Sequence, residues 1–554
     1  MINNKFYILL NSIHLFTLVA GNPFDMRKKL LLLPFCLGIT VLIAQSSFSG
    51  DLQLNTEFYQ SDSAIGATGT PHYDNLLSGA NGWLNTSYRN EQFGLEAGLR
   101  LDIFNNSNLH NPGIPYTDAG IGRWYIKKKI DALTITGGYI YDQFGSGLVF
   151  RAYEERTLGI DNALFGMEVQ YDINENWTVK ALGGQMKDLF SRYNPVIKGA
   201  NIEGIIPTKN QNIQIAPGAA FVNRTIDQEN MNVIVDQING YDLEDRFVPK
   251  YNMYAGSVYN TLTVKDVSWY IEYAQKSQEA IKDIDNQLVN ENGSVIYSSL
   301  SYSTSKIGNG FGITGQVRMV DNWVMRVSPN ETQLDGIMDY LPSLTKQNSL
   351  RLTARYQAVA QELGELAYQL NLTFTPKKGY TINANYSNVT NDSVQLFQEI
   401  FVDFEMRKPK YKLLLGGQYI SYHQEIFENH PDIPVVEAIT PFAEFIYKFD
   451  RKKSMRVELQ YQSTEQDYGS WVYGLVEFNI APKWSFALSD MWNYDPLLTE
   501  KALHYYSIFG GFTHKSSKIT LNYVKQIAGI VCTGGVCRYE PAFSGLKAGL
   551  VTTF

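Results

Sequence analysis

From residue 51 to the last residue, apolar and polar side chains take turns along the chain. Leu52, Leu54, Thr56 and Phe58 alternate with Asp51, Gln53, Asn55 and Glu57, and Phe93, Leu95, Ala97, Leu99, Leu101 and Ile103 alternate with Gly94, Glu96, Gly98, Arg100 and Asp102. The same period of two runs through 167–173, 366–374, 455–461 and 472–480. Successive side chains on a strand point to opposite faces, so each run reads as a strand with one apolar and one hydrophilic face.

A soluble sandwich also alternates, so the spacing of the runs has to decide. Short polar turns recur at 90–92, 174–176, 376–379, 450–453, 481–483 and 515–517, while longer variable stretches occupy 60–81, 105–119, 142–165, 188–249 and 321–346. Short turns at one end and long loops at the other are the asymmetry of a bacterial outer-membrane barrel. The expected fold is all-β, a single transmembrane antiparallel β-barrel of about 16 to 22 strands, even in number because both chain ends belong on the periplasmic side. The stretch 347–358 reads either as a spanning strand or as an arm of an extracellular hairpin, and no separate plug or periplasmic domain is visible. Trp177, Tyr380, Tyr411, Phe449 and Trp484 sit beside the short turns, where an interfacial girdle belongs.

Composition supports a barrel. With 36 Tyr, 29 Phe, 8 Trp and 44 Gly in 554 residues, and only 18% charged residues, the chain is rich in aromatics and small residues. Mean hydropathy is nonetheless −0.21, which excludes a helical membrane protein and suits a sheet in which every second residue faces lipid. Net charge is −8; residues 1–44 carry +3, leaving −11 for the remainder. No basic stripe exists for a nucleic-acid backbone, so nucleic acid is excluded as a partner.

The first 50 residues read as an address. Arg27-Lys28-Lys29, the apolar stretch 30–44 and the small-residue run 45–50 describe a secretory signal peptide. Cleavage after Ala44 and cleavage after Ser49 both fit. A second apolar stretch at 6–20 precedes the cationic cluster, so either translation starts at Met26 and 1–25 is an annotation extension, or the signal is long and two-part. The resulting division is 1–25 extension, 26–49 signal and 50–554 barrel. At the other end, Leu546, Ala548, Leu550, Thr552 and Phe554 share one face. A last strand ending on Phe resembles the signal read by the barrel-assembly machinery, with Leu550 and Phe554 as its elements.

Candidate sites are few. Cys532 and Cys537 are the cysteines left after export, and the Gly534-Gly535 turn between them favours a disulfide that staples a loop tip in an oxidising compartment. The segment 142–166 carries Arg151, Tyr153, Glu154, Glu155, Arg156 and Asp161 with glycines at 145, 147 and 159. It is either a constriction loop folded into the lumen or a solvated surface loop with local ion pairs. Alternation places Glu96, Arg100, Asp102, Glu168, Asp172, Lys180, Glu272, Arg318, Lys412, Glu444, Lys448, Arg456, Glu458 and Glu477 toward the lumen. This mixed lining is not the cationic one a phosphate pore needs, and its charges either line an open channel or pair and close it. The run Asp283 to Gly293 loosely matches a calcium loop but lacks the acidic residue at its twelfth position, and reads as a polar extracellular loop. Six His remain after export, none in a nucleophile or zinc motif, so no enzyme, metal or cofactor is expected.

Phe144-Gly145-Ser146-Gly147, the run Arg151 to Arg156, Gly159-Ile160-Asp161-Asn162 and the terminal Gly534-Gly535-Val536-Cys537-Arg538 resemble an uncharacterised, porin-like family of Bacteroidota outer-membrane barrels. The resemblance covers essentially all of the exported chain and implies fold and outer-membrane location, with no catalytic residues. Two functions follow as expectations: porin-like passage of small polar solutes, or a non-conducting accessory barrel whose loops bind a surface lipoprotein, a secretion component or a glycan. The 188–249 stretch, read as a long loop, tilts slightly toward the second. Outer-membrane lipids and the assembly machinery are the partners common to both.

Overall fold

The computed structural model describes residues 46–392, 394–428, 432–533 and 536–554. They form one closed ring of 24 antiparallel strands, each paired with its neighbours in sequence. The ring closes where the first strand, Ser46–Tyr59, pairs with the last, Phe543–Thr553, from Asp51↔Thr553 to Tyr59↔Gly545. Closure leaves no unpaired edge, which is the condition for a sheet to stand in lipid. Among the described residues no helix is long and apolar enough to cross a membrane.

The count exceeds the expected range by two because 188–249 is not a loop. Ser191–Gly204 and Ile213–Thr225 within it are paired barrel strands, and Gln228–Asn239 is a helix capped by Asp227. Polar breaks such as Asn194-Pro195 and Lys209–Gln211 obscure their alternation. The uncertain piece 347–358 holds no strand; it belongs to one connection, 322–363, between Phe311–Asp321 and Gly364–Lys377.

The alternating faces separate as lipid and lumen require. Met167, Tyr171, Leu370, Leu459 and Val476 stand exposed on the outer wall while their neighbours Glu168, Gln369 and Glu458 are buried inside. The six short turns read from the sequence lie at one end, and their aromatics meet in a belt: Tyr380 with Phe404, Tyr411 with Phe445, and Trp484 with both Phe486 and Phe512. A second set, including Tyr461 stacked on Tyr494 and Tyr506 on Tyr523, lies near the long loops. At the seam the terminal residue is fixed by backbone bonds of 2.9 Å in both directions between Phe554 and Gly50. A Cβ at residue 50 would meet the Phe554 ring at 2.6 Å and the backbone carbonyl of Asn85 at 2.7 Å, and the fixed carbonyl is what favours glycine at this closure.

Candidate functional site

All long connections leave from the same end, and two of them turn into the ring. The loop 141–163 follows Leu133–Ile140 and inserts Phe144, Leu148, Val149 and Phe150, all fully buried. Loop 322–363 adds Trp323, Met325, Val327, Met338 and Leu344 to the same apolar cluster, together with small wall residues such as Ala220, Ala274 and Ala367. Loops of this length exposed to water would not carry so many apolar side chains; they fold inward because the lumen offers an apolar lining.

Polar contacts fix the two loops to each other and to the wall. The Trp323 indole N–H donates to the Leu148 carbonyl at 2.9 Å, and backbone bonds run from Arg151 N to Met338 O at 2.8 Å and from Tyr340 N to Gly147 O at 3.0 Å. Ser146 donates from its amide and its hydroxyl to Glu272 Oε2, at 3.0 and 2.6 Å. Gly145, at φ 54°, permits this approach, since a Cβ there would meet Glu272 at 2.7 Å. Farther along, Arg318 binds Glu365 and the Pro342 carbonyl. Loop 322–363 then reaches the strand Lys453–Gln462, a quarter of the ring away. There Leu352 N donates to Gln460 Oε1 at 2.8 Å, Gln462 donates to Leu352 O at 3.1 Å, and Gln418 donates to Thr353 O at 3.0 Å. Its far end is held by Arg355, paired with Asp467 at 2.8 Å and lying over the Trp471 ring. Burial would raise the Asp467 carboxyl, but the Arg355 guanidinium and its hydrogen bonds outweigh that and hold it below the usual range. The upper lumen is therefore filled by the chain's own loops, 141–163 and 322–363, both of them connections between barrel strands.

The residues singled out in 142–166 fall on this plug, and most are paired. Arg100 on the wall meets Asp102 at 2.7 Å, Glu154 at 2.8 Å and Asp161. Asp161 also binds Lys187 and accepts from the Tyr141 hydroxyl at 2.6 Å. Arg156 pairs with Glu154 at 2.5 Å and donates to Gln53 at 3.0 Å. The Arg151 guanidinium lies over the rings of Tyr153 and Tyr340, 4.4 and 3.9 Å from their centres. Glu155 is apart, accepting from Thr157 Oγ1 at 2.6 Å.

Below the plug the lumen is hydrophilic. Arg456 joins Glu444 at 2.6 Å, Glu458, and Glu477 at 3.6 Å, and Lys412 bridges Glu444 and Glu405 at 3.0 and 3.2 Å. Asn385 donates to Asn371 at 2.7 Å and Asn383 to Asp403 at 2.8 Å, and Tyr125 donates to Glu96 at 2.7 Å. Lys180 pairs with Asp142 at 2.8 Å beside buried Glu168, Asp172 accepts from Thr178 at 3.0 Å, and Lys448 is exposed near a turn. Leu550 lies opposite Leu54 in the closing pair.

Cys532 and Cys537 face each other in backbone register within the hairpin Gly529–Thr533 and Val536–Glu540. Their side chains, and so the expected disulfide, lie outside the described residues, as does the whole signal segment 1–45. Asp283 closes a tight turn by accepting from the amides of Asp285 and Gln287, and no metal cluster occurs among the described residues.

A family model described as "Family of unknown function (DUF6029)" matches residues 26–554. The chain belongs to the DUF6029 family. No curated protein matches it in sequence. Solved structures with a similar course include the P pilus usher (PapC) translocation pore, at 9% identity and TM-score 0.42 over 91% of this chain and 99% of that one. The siderophore receptor PirA from Acinetobacter baumannii gives 10% identity and TM-score 0.45, covering 93% of this DUF6029 chain and 82% of the receptor. OccAB3 of the same organism gives 8% and 0.34 over 66% and 93%. Likeness at this level passes no mechanism to the DUF6029 chain, whose ring rests on its own pairing register.

Proposed function

We propose that this chain is an outer-membrane protein of a Gram-negative, Bacteroidota cell that passes small polar solutes through a lumen narrowed by loops 141–163 and 322–363. The apolar outer wall, its two aromatic belts and the closed ring supply the physical case for a membrane location. One observation carries the transport reading: a hydrophilic lower lumen and an outer vestibule of about 910 Å³ stand on either side of the two infolded loops. A barrel serving only as scaffold has no need of open space on both sides of its infolded loops. In this reading 141–163 with Arg151, Glu154, Arg156 and Asp161 is the constriction, and paired charges there exclude large or strongly charged solutes. Cleavage after Ala44 preserves the first strand, whereas cleavage after Ser49 removes Ser46–Ser49 from it.

Planar-bilayer recording tests the proposal. The wild-type protein gives small steps, and replacing 328–358 by a short Gly-Ser linker raises conductance several-fold. If the linker variant, shown to be folded by heat-modifiable mobility in detergent, conducts no better than wild type, the loops are not the barrier and the transport reading falls. The accessory reading keeps one observation of its own. The outer segment 241–250 exposes Leu243 and Val248, 84% and 86% accessible, beside Asp242, Glu244 and Asp245.

A further inference from the structure

Below the infolded loops, the inner wall beside the seam holds a hollow of about 570 Å³. Small-molecule sites occupy roughly 300–1,000 Å³, so the size suits one. Four consecutive strands build it: Ser46–Tyr59, Ser78–Asn90, Leu95–Ser107 and Tyr116–Ile130. Their register sets Asp51, Asn85, Arg100 and Arg123 in one row, because directly opposed residues share a face. The next inward row, toward the short turns, holds Ser87, Gly98 and Tyr125. The Tyr125 ring lies where a Cβ at residue 98 would stand, and its hydroxyl donates to Glu96 at 2.7 Å.

Arg123 is the unusual member of the upper row. Its half-buried guanidinium lies over two rings, 4.6 Å from the centre of Tyr125 and 4.2 Å from that of Tyr141. Nε donates to the Tyr139 carbonyl at 3.4 Å, and the guanidinium makes no ion pair among the described residues. The carboxylates of that corner are already taken. Arg100 holds Asp102, Glu154 and Asp161, and Lys187 also binds Asp161. A guanidinium is a planar fork of five N–H donors, and stacking on rings fixes its plane while leaving the outer edge to bond. That edge fits a carboxylate through two parallel bonds.

The other end of the row carries the opposite charge. Asp51 stands three strands from Arg123, about 14 Å between backbones at ordinary strand spacing. It accepts from the Asn85 amide at 2.9 Å through one oxygen, Oδ2. The terminal carboxylate of Phe554 lies at the same end and accepts from the Gly50 amide at 2.9 Å. A simple anion drawn to Arg123 would be repelled by this end, and a simple cation would meet the reverse. A molecule with one charge of each sign, set apart, satisfies both ends.

We propose that the hollow binds a zwitterionic amino acid or short peptide, its carboxylate on Arg123 and its ammonium toward Asp51. This names a solute class for the passage proposed above, and rests on that reading for its role. Binding is measured apart from conduction. A protein that conducts without binding a zwitterion sinks only this inference, and one that binds it without conducting sinks only the transport reading.

Saturation-transfer NMR on the detergent-solubilised mature protein tests it, with glycine, alanine, glycylglycine and dialanine as probes. Acetate, ethylamine and glucose serve as controls. At least one zwitterion is expected to bind more tightly than every control, and at least tenfold more weakly in Arg123→Gln. Asp51→Asn keeps an acceptor for Asn85 but removes the charge, so the zwitterion's advantage over acetate shrinks at least threefold. Heat-modifiable mobility shows that each variant is folded; should Arg123→Gln fail that check, Asp51→Asn decides alone. Absence of signal from all four zwitterions overturns the inference. So does tighter binding of a control, wild-type affinity in folded Arg123→Gln, or an unchanged preference in Asp51→Asn.

Discussion

The two halves of the lumen are built on the same strands but differ in what those strands present. Toward the long loops the inward positions include a patch of small or apolar residues, Val222, Ala255, Ala274, Val295, Ala367 and Val389, on which the infolded loops pack, beside buried charges such as Arg318 and Glu365 that pair. Toward the short turns the inward positions become polar: Asn385 bonds Asn371, Asn383 bonds Asp403, and Lys412 and Arg456 share Glu444. The difference shows that a plug in this barrel is written into the wall as much as into the loop. An apolar lining without the loops would be exposed to water, and apolar loops without the lining would have nothing to bury against.

Predictions that break this contrast act most strongly in the upper half. Trp323→Ala empties a fully buried site and removes the bond to Leu148, and should cost the plug about 3–5 kcal/mol. Hydrogen exchange across 322–363 should accelerate accordingly while the strands remain protected; unchanged protection would mean that the loop is held elsewhere. Arg318→Met strands Glu365 in the interior and should cost roughly 3 kcal/mol or more, read in the same experiment.

Acidity should sharpen the contrast within the plug itself. The carboxyl of Asp339 is raised above the unfolded value of about 3.9, so the folded loop holds a proton that the unfolded loop releases, and its stability falls as pH rises through that window. Lowering pH from 7.5 to 5 should therefore increase protection around 337–343, after correction for intrinsic exchange, and Asp339→Asn should flatten the response. Asp467 is depressed, so its contribution is complete above about 3.9 and is lost only below that, and the Arg355 end should not respond over the same range. The smallest effect belongs to the lower half. Asn385→Ala removes the bond it donates to Asn371 and the one it accepts from Ser387, and should cost about 1–2 kcal/mol, with the plug's exchange untouched.

Much of this was legible in the chain. Alternation at 93–103 and 455–461 gave both faces of the wall, because a strand has no choice but to turn every second residue outward. It placed Arg100, Glu272 and Arg318 inside without any knowledge of their partners. Two strands were hidden in 188–249, where polar breaks and a helix interrupt the alternation. Loop 322–363 was the larger omission. Trp323, Met325 and Val327 alternate with Val324 and Arg326, but Met338 and Leu352 farther along lie among turns, so no single local rule marks the whole loop as buried. The usable signal was the loss of polar character on the inner face near Ala367 and Val389, which makes sense only once something is known to fill the lumen.

The sequence alone determined the closed sheet and its two faces, because unmet backbone hydrogen bonds in lipid permit a spanning sheet only as a ring, and side-chain direction then follows from the pleat. Only the tertiary structure decided that the ring is filled. Whether Arg355 meets Asp467, or Trp323 meets Leu148, depends on contacts between residues more than a hundred positions apart. Those contacts come from packing across the lumen, and period and propensity carry no information about them.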